Sequence, residues 1–328
     1  MTDNLKLVDV VVEIVDARLP QSSRNPLIHD LIGEKPRALV MAKSDLAEEA
    51  YNKAWVAHFR ELGYAAIACD FKGGNSKNEI KAMTDRLRTQ ARDILDRRQK
   101  RGIQNRTVRA MITGIPNVGK STMINLIAGK AMTDTADRPG VTRGKQWIRL
   151  ASDLELLDMP GILWPNLEDR EGARKLAVTG AIGDNAYSHE ELAWWLIAWL
   201  RTHRPGRLLE RYGVSETAAD YAEEAAALAE MAAWDMDRML GLEAHGRQVD
   251  ADGSPSEEDG HKDFISQVIL QAIGRRRGLL RKGGVVETDK AAVILLDELR
   301  GGKLGRITWD ELPDAVEAAE AESIEGGT

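Results

Sequence analysis

The stretch TVRAMITGIPNVGKSTMINLIAG, Thr107–Gly129, decides how the rest of the chain is read. VRAMIT is a short apolar run of the kind that forms a buried strand, and STMINLIAG places Met123, Ile124, Ile127 and Ala128 at helical spacing. Between them, residues 114–121 fit the pattern G-x-x-x-x-G-K-[ST]. A glycine loop between a strand and a helix start lets backbone N–H groups curl around phosphate oxygens, and the helix dipole adds positive potential there. Asn117, Val118, Gly119, Lys120, Ser121 and Thr122 are the expected phosphate-binding residues. Lys120 is expected to reach the β- and γ-phosphates, and Ser121 to ligate Mg²⁺.

Downstream, LELLDMPG (Leu154–Gly161) reads as a strand ending in Asp158-Met159-Pro160-Gly161. An aspartate at a strand end can hold Mg²⁺ through a water, and the N–H of Gly161 can sense a γ-phosphate. The intervening DRPGVTRG (Asp137–Gly144) is a polar Gly/Pro loop in which Thr142 can close on Mg²⁺ and the same phosphate. Lys120, Thr142 and Gly161 are thus the expected catalytic positions, and Ser121, Thr142 and Asp158 the expected Mg²⁺ positions.

Upstream lies RALVMAKSDL (Arg37–Leu46), an apolar run ending in Ala42-Lys43-Ser44-Asp45. Lys-x-Asp after a hydrophobic strand is a guanine-reading pattern: the carboxylate accepts two hydrogen bonds from the base, and the lysine stem lies over its ring. YAAIACDFKGG places Ala68 and Cys69 where a backbone N–H would back the base. Here the base-reading loop precedes the phosphate loop, the reverse of the common order. Such a chain can build the same site if the usual ends are joined. Residues 75–106 supply that joint as a long helix with Ile80, Met83, Leu87, Ala91, Ile94 and Leu95 on one stripe.

The remaining composition is permissive. At 328 residues, with 43% hydrophobic and 30% charged, the chain is long enough for two domains with their own cores. The single cysteine, Cys69, excludes a disulfide framework and a cysteine zinc site and suits a reducing cytoplasm. No apolar run approaches the roughly 18 residues of a membrane helix. The net charge of −7 conceals two basic segments: ten Lys/Arg against three acids between Lys81 and Arg109, and nine against four between Arg275 and Arg306. The first is most simply a solvated helix face. The second contains GRRRGLLRKGG (Gly274–Gly284), whose Arg275, Arg276, Arg277, Arg281 and Lys282 suit RNA phosphates, without aromatic residues for base stacking. ELAWWLIAWL (Glu191–Leu200) is apolar almost all round and reads as a core helix. Residues 247–262 read as an acidic loop and the end of the chain as an acidic tail.

In the order in which they occur, these motifs resemble the YlqF-type circularly permuted GTPases, the bacterial ribosome biogenesis GTPase A family. LKLVDVVVEIVDARLPQSSRNP, GIPNVGKST, DRPGVTRGKQW, LELLDMPGILWP, EGARKLAVTGAI and GGVVETDKAAVILLDELRGGKLGRIT all carry the likeness, which spans nearly the whole chain. The resemblance implies an α/β, circularly permuted P-loop GTPase domain over residues 1–178, with a mostly parallel sheet between helices. A small all-α domain that docks on rRNA would occupy 179–328. It implies a cytoplasmic, monomeric GTPase that binds GTP or GDP with Mg²⁺ and acts on the large ribosomal subunit late in its maturation, with no membrane or DNA partner. Asn117 is, by the same resemblance, a candidate ligand of a K⁺ ion that stands in for an arginine finger. Two alternatives stay open: a GTP-dependent ribosome-binding module that hydrolyses little, and a small-subunit assembly GTPase.

Three departures from the family pattern bear on chemistry. Ala42 stands where the family has asparagine, which removes an amide that would tie the base-reading loop to the phosphate loop. Ala68-Cys69 replaces a serine-containing backing loop. The aromatic-Pro-Gly-His-Met opening of the family does not precede the first strand, and Ile162 stands where many GTPases orient water with glutamine. Slow intrinsic hydrolysis, completed by a bound partner, is therefore expected.

Overall fold

The computed structural model describes residues 5–25, 32–33, 35–100, 102, 107–128, 146–151, 154–158, 170–228 and 264–312. They divide into two compact units, residues 1–183 together with 306–328, and residues 184–305.

The first unit is built on a six-stranded sheet. Its strands are β1 Val10–Asp16, β2 Arg37–Ala42, β3 Ala65–Cys69, β4 Val108–Gly114, β5 Gln146–Ala151 and β6 Leu154–Asp158, in the spatial order β3-β2-β1-β4-β6-β5. All pairings are parallel except β5 with β6. Every residue of VVVEIVD in β1 is buried, so both of its faces are covered, which is why the strand reads as mostly apolar rather than as alternating. Helix α1, Glu49–Glu61, buries Trp55 and Phe59, whose rings stack 5.3 Å apart, against Val15, Leu39 and Met41 of the sheet. Helix α2, Ser76–Lys100, packs on β3, β2 and β4 through Ile80, Met83 and Ala91. Its 25 residues extend roughly 37 Å at 1.5 Å each, enough to carry the chain from the edge strand β3 back to the sheet centre. That return is the permutation joint expected from the sequence.

The chain winds outward from β1 to β3, then restarts beside β1 at β4 and winds the other way. The reversal lies between β1 and β4. In open parallel sheets the crevice at such a switch point, outside the carboxyl ends of the strands, is where ligands bind. Helix α3, Lys120–Ala128, follows β4, and helix α4, Arg170–Val178, closes the unit's first chain segment.

The second unit is helical. Helix α5, His189–His203, is capped by Ser188, whose hydroxyl accepts from Glu191 N at 3.3 Å. After the short α6, Arg207–Tyr212, it packs with α7, Phe264–Arg276, and α8, Thr288–Arg300, around Leu196, Leu200, Ile269, Ile273, Leu295 and Leu299. Leu192, Ala193, Leu196, Ile197 and Leu200 are the buried side of α5, whereas Trp194, Trp195 and Trp199 are only half-buried, a narrower core face than the sequence suggested. A Cβ on Gly274 would stand 2.4 Å from Val286 Cγ1, so only glycine admits the 286 segment this close to α7. Among the described residues, no helix is long and apolar enough to cross a membrane.

One boundary differs from the sequence reading, which kept everything after residue 178 with the helical part. Residues 307–310 add to the first unit. Ile307 N donates to Leu46 O at 3.0 Å and Trp309 N to Arg18 O at 2.8 Å, with both side chains buried. Asp310 accepts from the backbone N–H groups of Gln21 and Ser22 at 2.8 and 2.7 Å. Thr179 and Gly180, at the end of α4, belong to the first unit as well.

The helical unit holds one concentrated charge. Glu298, with its side chain 9% exposed, accepts from Arg211 Nε at 2.9 Å, from Arg277 at 2.8 Å and from Tyr212 Oη at 2.9 Å. Hydrogen bonds from Arg211, joined by Tyr212 and the Arg277 charge, outweigh desolvation and hold its pKa down at about 2. A depressed carboxyl pKa contributes stability above its unfolded value, and that stability is lost as pH falls through the folded value. Glu298→Gln is therefore expected to lower the melting temperature at pH 7 by roughly 2–4 °C. In thermal scans across pH, the gap from wild type should narrow below about pH 4.5 and close toward about pH 2.

Candidate functional site

The phosphate loop leaves β4 at Gly114. Its φ of 153° and the 2.4 Å that would separate an added Cβ from Ile14 O both require glycine, and they bring the loop against β1. Val118 is buried under it. Asn117, at φ 55°, takes a left-handed conformation, and its Nδ2 donates to Gly180 O at 3.0 Å. Gly119 has φ 112°. Helix α3 starts at Lys120, so the N–H groups of its first turn, including Ser121 and Thr122, open toward the loop. Lys120 is 7% exposed, and its ammonium donates to Gly114 O at 3.1 Å and Ile115 O at 2.7 Å, which sets the charge inside the loop's curl.

The base-reading loop leaves β2 at Ala42, which is fully buried. Lys43 turns the chain with φ 59°, Leu46 N donates to Lys43 O at 3.0 Å, and Ser44 is tied from both sides. Its N–H donates to Cys69 O at 3.4 Å, and its carbonyl accepts from Asn52 Nδ2 at 2.9 Å. Asp45 is exposed at the end of this brace. A carboxylate on a loop anchored at neighbouring residues can meet a flat base with little ordering cost.

Between the two loops sits a pair that the sequence reading missed. Asp16 ends β1 and is buried; its Oδ2 lies 3.0 Å from Lys43 Nζ. Arg18 grips it with Nε at 2.9 Å, an NH2 contact at 2.8 Å and its backbone N–H at 3.0 Å, and the guanidinium also donates to Thr179 O at 3.1 Å. Burial opposes ionisation of Asp16, but the charges and hydrogen bonds of Arg18 and Lys43 overcome it and hold the carboxyl well below the usual range. The available signal was Asp-x-Arg at the end of a mostly apolar strand, in a relation to β1 like that of the two recognised loops to β2 and β4.

Ala68 and Cys69 are placed differently from the expectation. Both lie within the β3 ladder, in register with Met41 and Ala42. Burial pushes the Cys69 thiol well above its ordinary range. The loop that extends past the strand end begins at Asp70, whose Oδ1 accepts from Lys72 N at 2.8 Å and whose carbonyl accepts from Gly73 N at 3.1 Å. Residues 70–71 are thus the first to follow the strand end.

Asp158 is the last residue of β6, in register with Ile112 of β4 and Gln146 of β5, so its backbone stands one strand away from the phosphate-loop strand. Thr142, Gly161 and Ile162 lie outside the described residues. Among the described residues, no group of three or more His, Cys, Asp or Glu side chains could hold a metal ion. Ser121, in the first turn of α3, suits Mg²⁺, which keeps waters and binds through one or two protein oxygens and the phosphates rather than in an all-protein cage.

Asp16→Asn is expected to remove about 3 kcal/mol of stability, the lower end for breaking a buried ion pair by deleting one partner. Because the Asp16 pKa is lowered, the carboxylate is ionised throughout pH 5–8, and the loss should be constant across that range in urea denaturation.

A family model described as "50S ribosome-binding GTPase" matches residues 109–203. A ribosome biogenesis GTPase A from Bacillus cereus is 39% identical over 323 residues, 98% of this chain and 93% of the relative. One from Priestia megaterium is 37% identical over 96% of this chain and 93% of the relative. Two solved structures of YlqF from Thermotoga maritima, one GDP-bound and one GNP-bound, superpose with TM-scores of 0.53 and 0.52. Each is 24% identical; they cover 94% of this chain and 97% and 95% of theirs, so they share its permuted fold. With base-reading loop, phosphate loop and permutation joint in place, and with relatives matched along nearly their whole length, the chain belongs to the ribosome biogenesis GTPase A family of circularly permuted GTPases.

Proposed function

We propose that this chain binds GTP at the β1/β4 switch point and hydrolyses it while acting in assembly of the large ribosomal subunit. The observation that carries the reading is that the Lys43–Asp45 loop and the 114–120 loop leave the same end of β2 and β4, the two strands that flank β1, in a chain whose relatives are named for ribosome biogenesis.

In this reading Asp45 pairs with the guanine ring N–H and exocyclic amine, and Lys43, steadied by Asp16, covers the ring. Residues 70–71 back the base in place of Ala68 and Cys69. Val118 and Gly119 shape the phosphate cradle, Lys120 neutralises the β- and γ-phosphates, and Thr122 lies in the first turn of α3. Ser121, Asp158 and Thr142 hold Mg²⁺, which supplies charge neutralisation at the transferred phosphoryl group. Gly161 and Thr142 sense the γ-phosphate. An Asn117 amide whose nitrogen donates to Gly180 presents its oxygen as the ligand atom for K⁺. A hydrophobic Ile162 cannot orient water, so a ribosomal partner completes the hydrolytic site. The protein acts as a monomer in the cytoplasm, on rRNA rather than DNA or membrane.

Asp45→Asn is expected to cost roughly 2–4 kcal/mol in GTP binding by loss of a two-bond charge-assisted contact, and to admit xanthine nucleotides. Calorimetric titration of both nucleotides checks it, and equal affinity of the wild type for ATP and GTP would defeat the assignment.

The basic cluster needs sorting before it is tested. Arg277 is committed to Glu298, Arg276 donates to Gly213 O at 3.1 Å, and Arg281 pairs with Glu287 at 3.1 Å. Arg275 and Lys282 are exposed, and Lys282 sits in the turn of the hairpin that closes through Leu280 and Val286. Replacing Arg275, Arg281 and Lys282 by Ser should leave GTP binding intact. Co-sedimentation with large subunits should weaken, and its dependence on log salt should flatten by about two to three charges. An unchanged slope would shift the interface elsewhere, the basic α2 helix being the next candidate.

A further inference from the structure

Beyond its backbone N–H, Phe71 has a side chain placed where the loops assigned to base and phosphates meet. Its ring is 7% exposed although it lies in a turn beyond the end of β3. A large apolar side chain buried in a loop needs something to pack on, and here that is the phosphate loop. A Cβ built on Gly119 would stand 3.0 Å from Phe71 Cε2 and 3.1 Å from Cδ2. The same point lies 3.8 Å from Ala42 Cβ, at the root of the base-reading loop. Three loops from β2, β3 and β4 therefore converge on one backbone position, and Phe71 is the largest side chain there.

The turn that carries Phe71 is stiff. Asp70 accepts from both Lys72 N and Gly73 N, and a Cβ on Gly73 would meet Asp70 Oδ2 at 2.6 Å, so the turn closes tightly around its carboxylate. At its other end β3 is fastened to the base-reading loop through Ser44 N and Cys69 O. Ala42, fully buried, has a methyl group and no polar atom to tie this loop to the phosphate loop. Lys43 is tied to Asp16, and Asn117 to Gly180. Apolar contact at Gly119 thus joins the turn after β3 to the phosphate loop, beside the root of the base-reading loop.

We propose that Phe71 is a positioning residue that keys the base-reading loop to the phosphate loop, occupying the space that a polar side chain at position 42 would otherwise use. The proposal rests on the GTP-binding assignment. A nucleotide bridges the two loops, so its affinity depends on their spacing. A rigid key keeps both subsites in register before the ligand arrives, and loss of the key makes the ligand supply that order.

The full-length chain is titrated with GDP and with ADP, with thermal unfolding measured alongside. Wild type should prefer GDP; a wild type that binds neither would overturn the GTP-binding assignment itself and is distinguishable from failure of this inference. With wild-type binding in place, Phe71→Ala should weaken GDP binding about tenfold, whereas Phe71→Leu, which keeps apolar volume, should stay within about threefold. Ala42→Asn supplies the decisive arm. In the wild-type background it should weaken GDP binding, because the amide crowds the ring. In the Phe71→Ala background it should strengthen binding, because the vacated space admits a polar tie. That reversal of sign is a coupling that a general loss of stability does not produce. If Ala42→Asn changes affinity by the same factor in both backgrounds, or if Phe71→Ala binds GDP as wild type does, the inference is wrong. Should Phe71→Ala not fold, the same cycle on Phe71→Val carries the same expectation of reversal, and equal factors overturn it.

Discussion

A buried carboxylate at the end of the central strand is the constraint around which the nucleotide site is arranged. Asp16 is removed from water, and an isolated charge there would cost far more than a small domain can supply. It is tolerated because Arg18 meets it with a forked guanidinium and a backbone N–H, and because Lys43 adds a second cation from the next strand. Each of those partners is thereby fixed. Lys43 is held at a φ of 59° that a lysine does not ordinarily adopt, which aims the following Ser44 and Asp45. Arg18 in turn reaches the carbonyl of Thr179 and offers its own carbonyl to Trp309 N. Satisfying one charge thus orders residues from four separated parts of the chain.

The strands and the permuted order were legible because the physics behind them is local. A strand covered on both faces is mostly apolar, and β1, β2 and β4 are, with Glu13 and Asp16, Arg37, and Arg109 and Thr113 as their polar members. The phosphate loop declares itself because glycine is needed where a Cβ would strike Ile14 O. The Asp16–Arg18 pair was less legible. Its purpose appears only when Lys43 arrives from another strand, and nothing near residue 16 announces that meeting. The end of β3 was hard to place for a related reason. AAIAC carries no mark of where the ladder stops, and the stop is set by the Asp70 turn, whose carboxylate outcompetes a further strand hydrogen bond. Residues 307–310 were unreadable as part of the first unit, since their partners lie at residues 18–22 and 46–48.

The helical unit shows why a run of like charges is a poor guide to function until its partners are known. GRRRGLLRKGG reads as a uniform cationic patch, yet its members do different things. Arg277 neutralises Glu298 together with Arg211, and Arg281 pairs with Glu287. Removing Arg277 would therefore confound a binding experiment with a stability loss. The exposed Arg275 and Lys282 carry no such penalty. Glycines in the same stretch are sorted in the same way: Gly274 is required by the closeness of Val286, while Gly283 and Gly284 turn the hairpin with positive φ.

The chain leaves the first unit after Gly183 and re-enters it at Arg306, and both passages are fastened at loops of the nucleotide site. On the outgoing side, the carbonyl of Thr179 receives Arg18 and that of Gly180 receives Asn117. On the returning side, Ile307 and Trp309 donate to Leu46 and Arg18, while Thr308 and Glu48 exchange hydrogen bonds at 3.1 and 3.2 Å. Leu46 and Glu48 directly follow the base-reading residues, and Asn117 lies in the phosphate loop. A ligand that shifts either loop must therefore strain or reset a hydrogen bond to one of the two passages. Energetic coupling needs such a physical connection between a site and a distant element. Here the connection is hydrogen bonding at residues 179–180 and 307–309, the parts of the first unit that flank residues 184–305 in the chain.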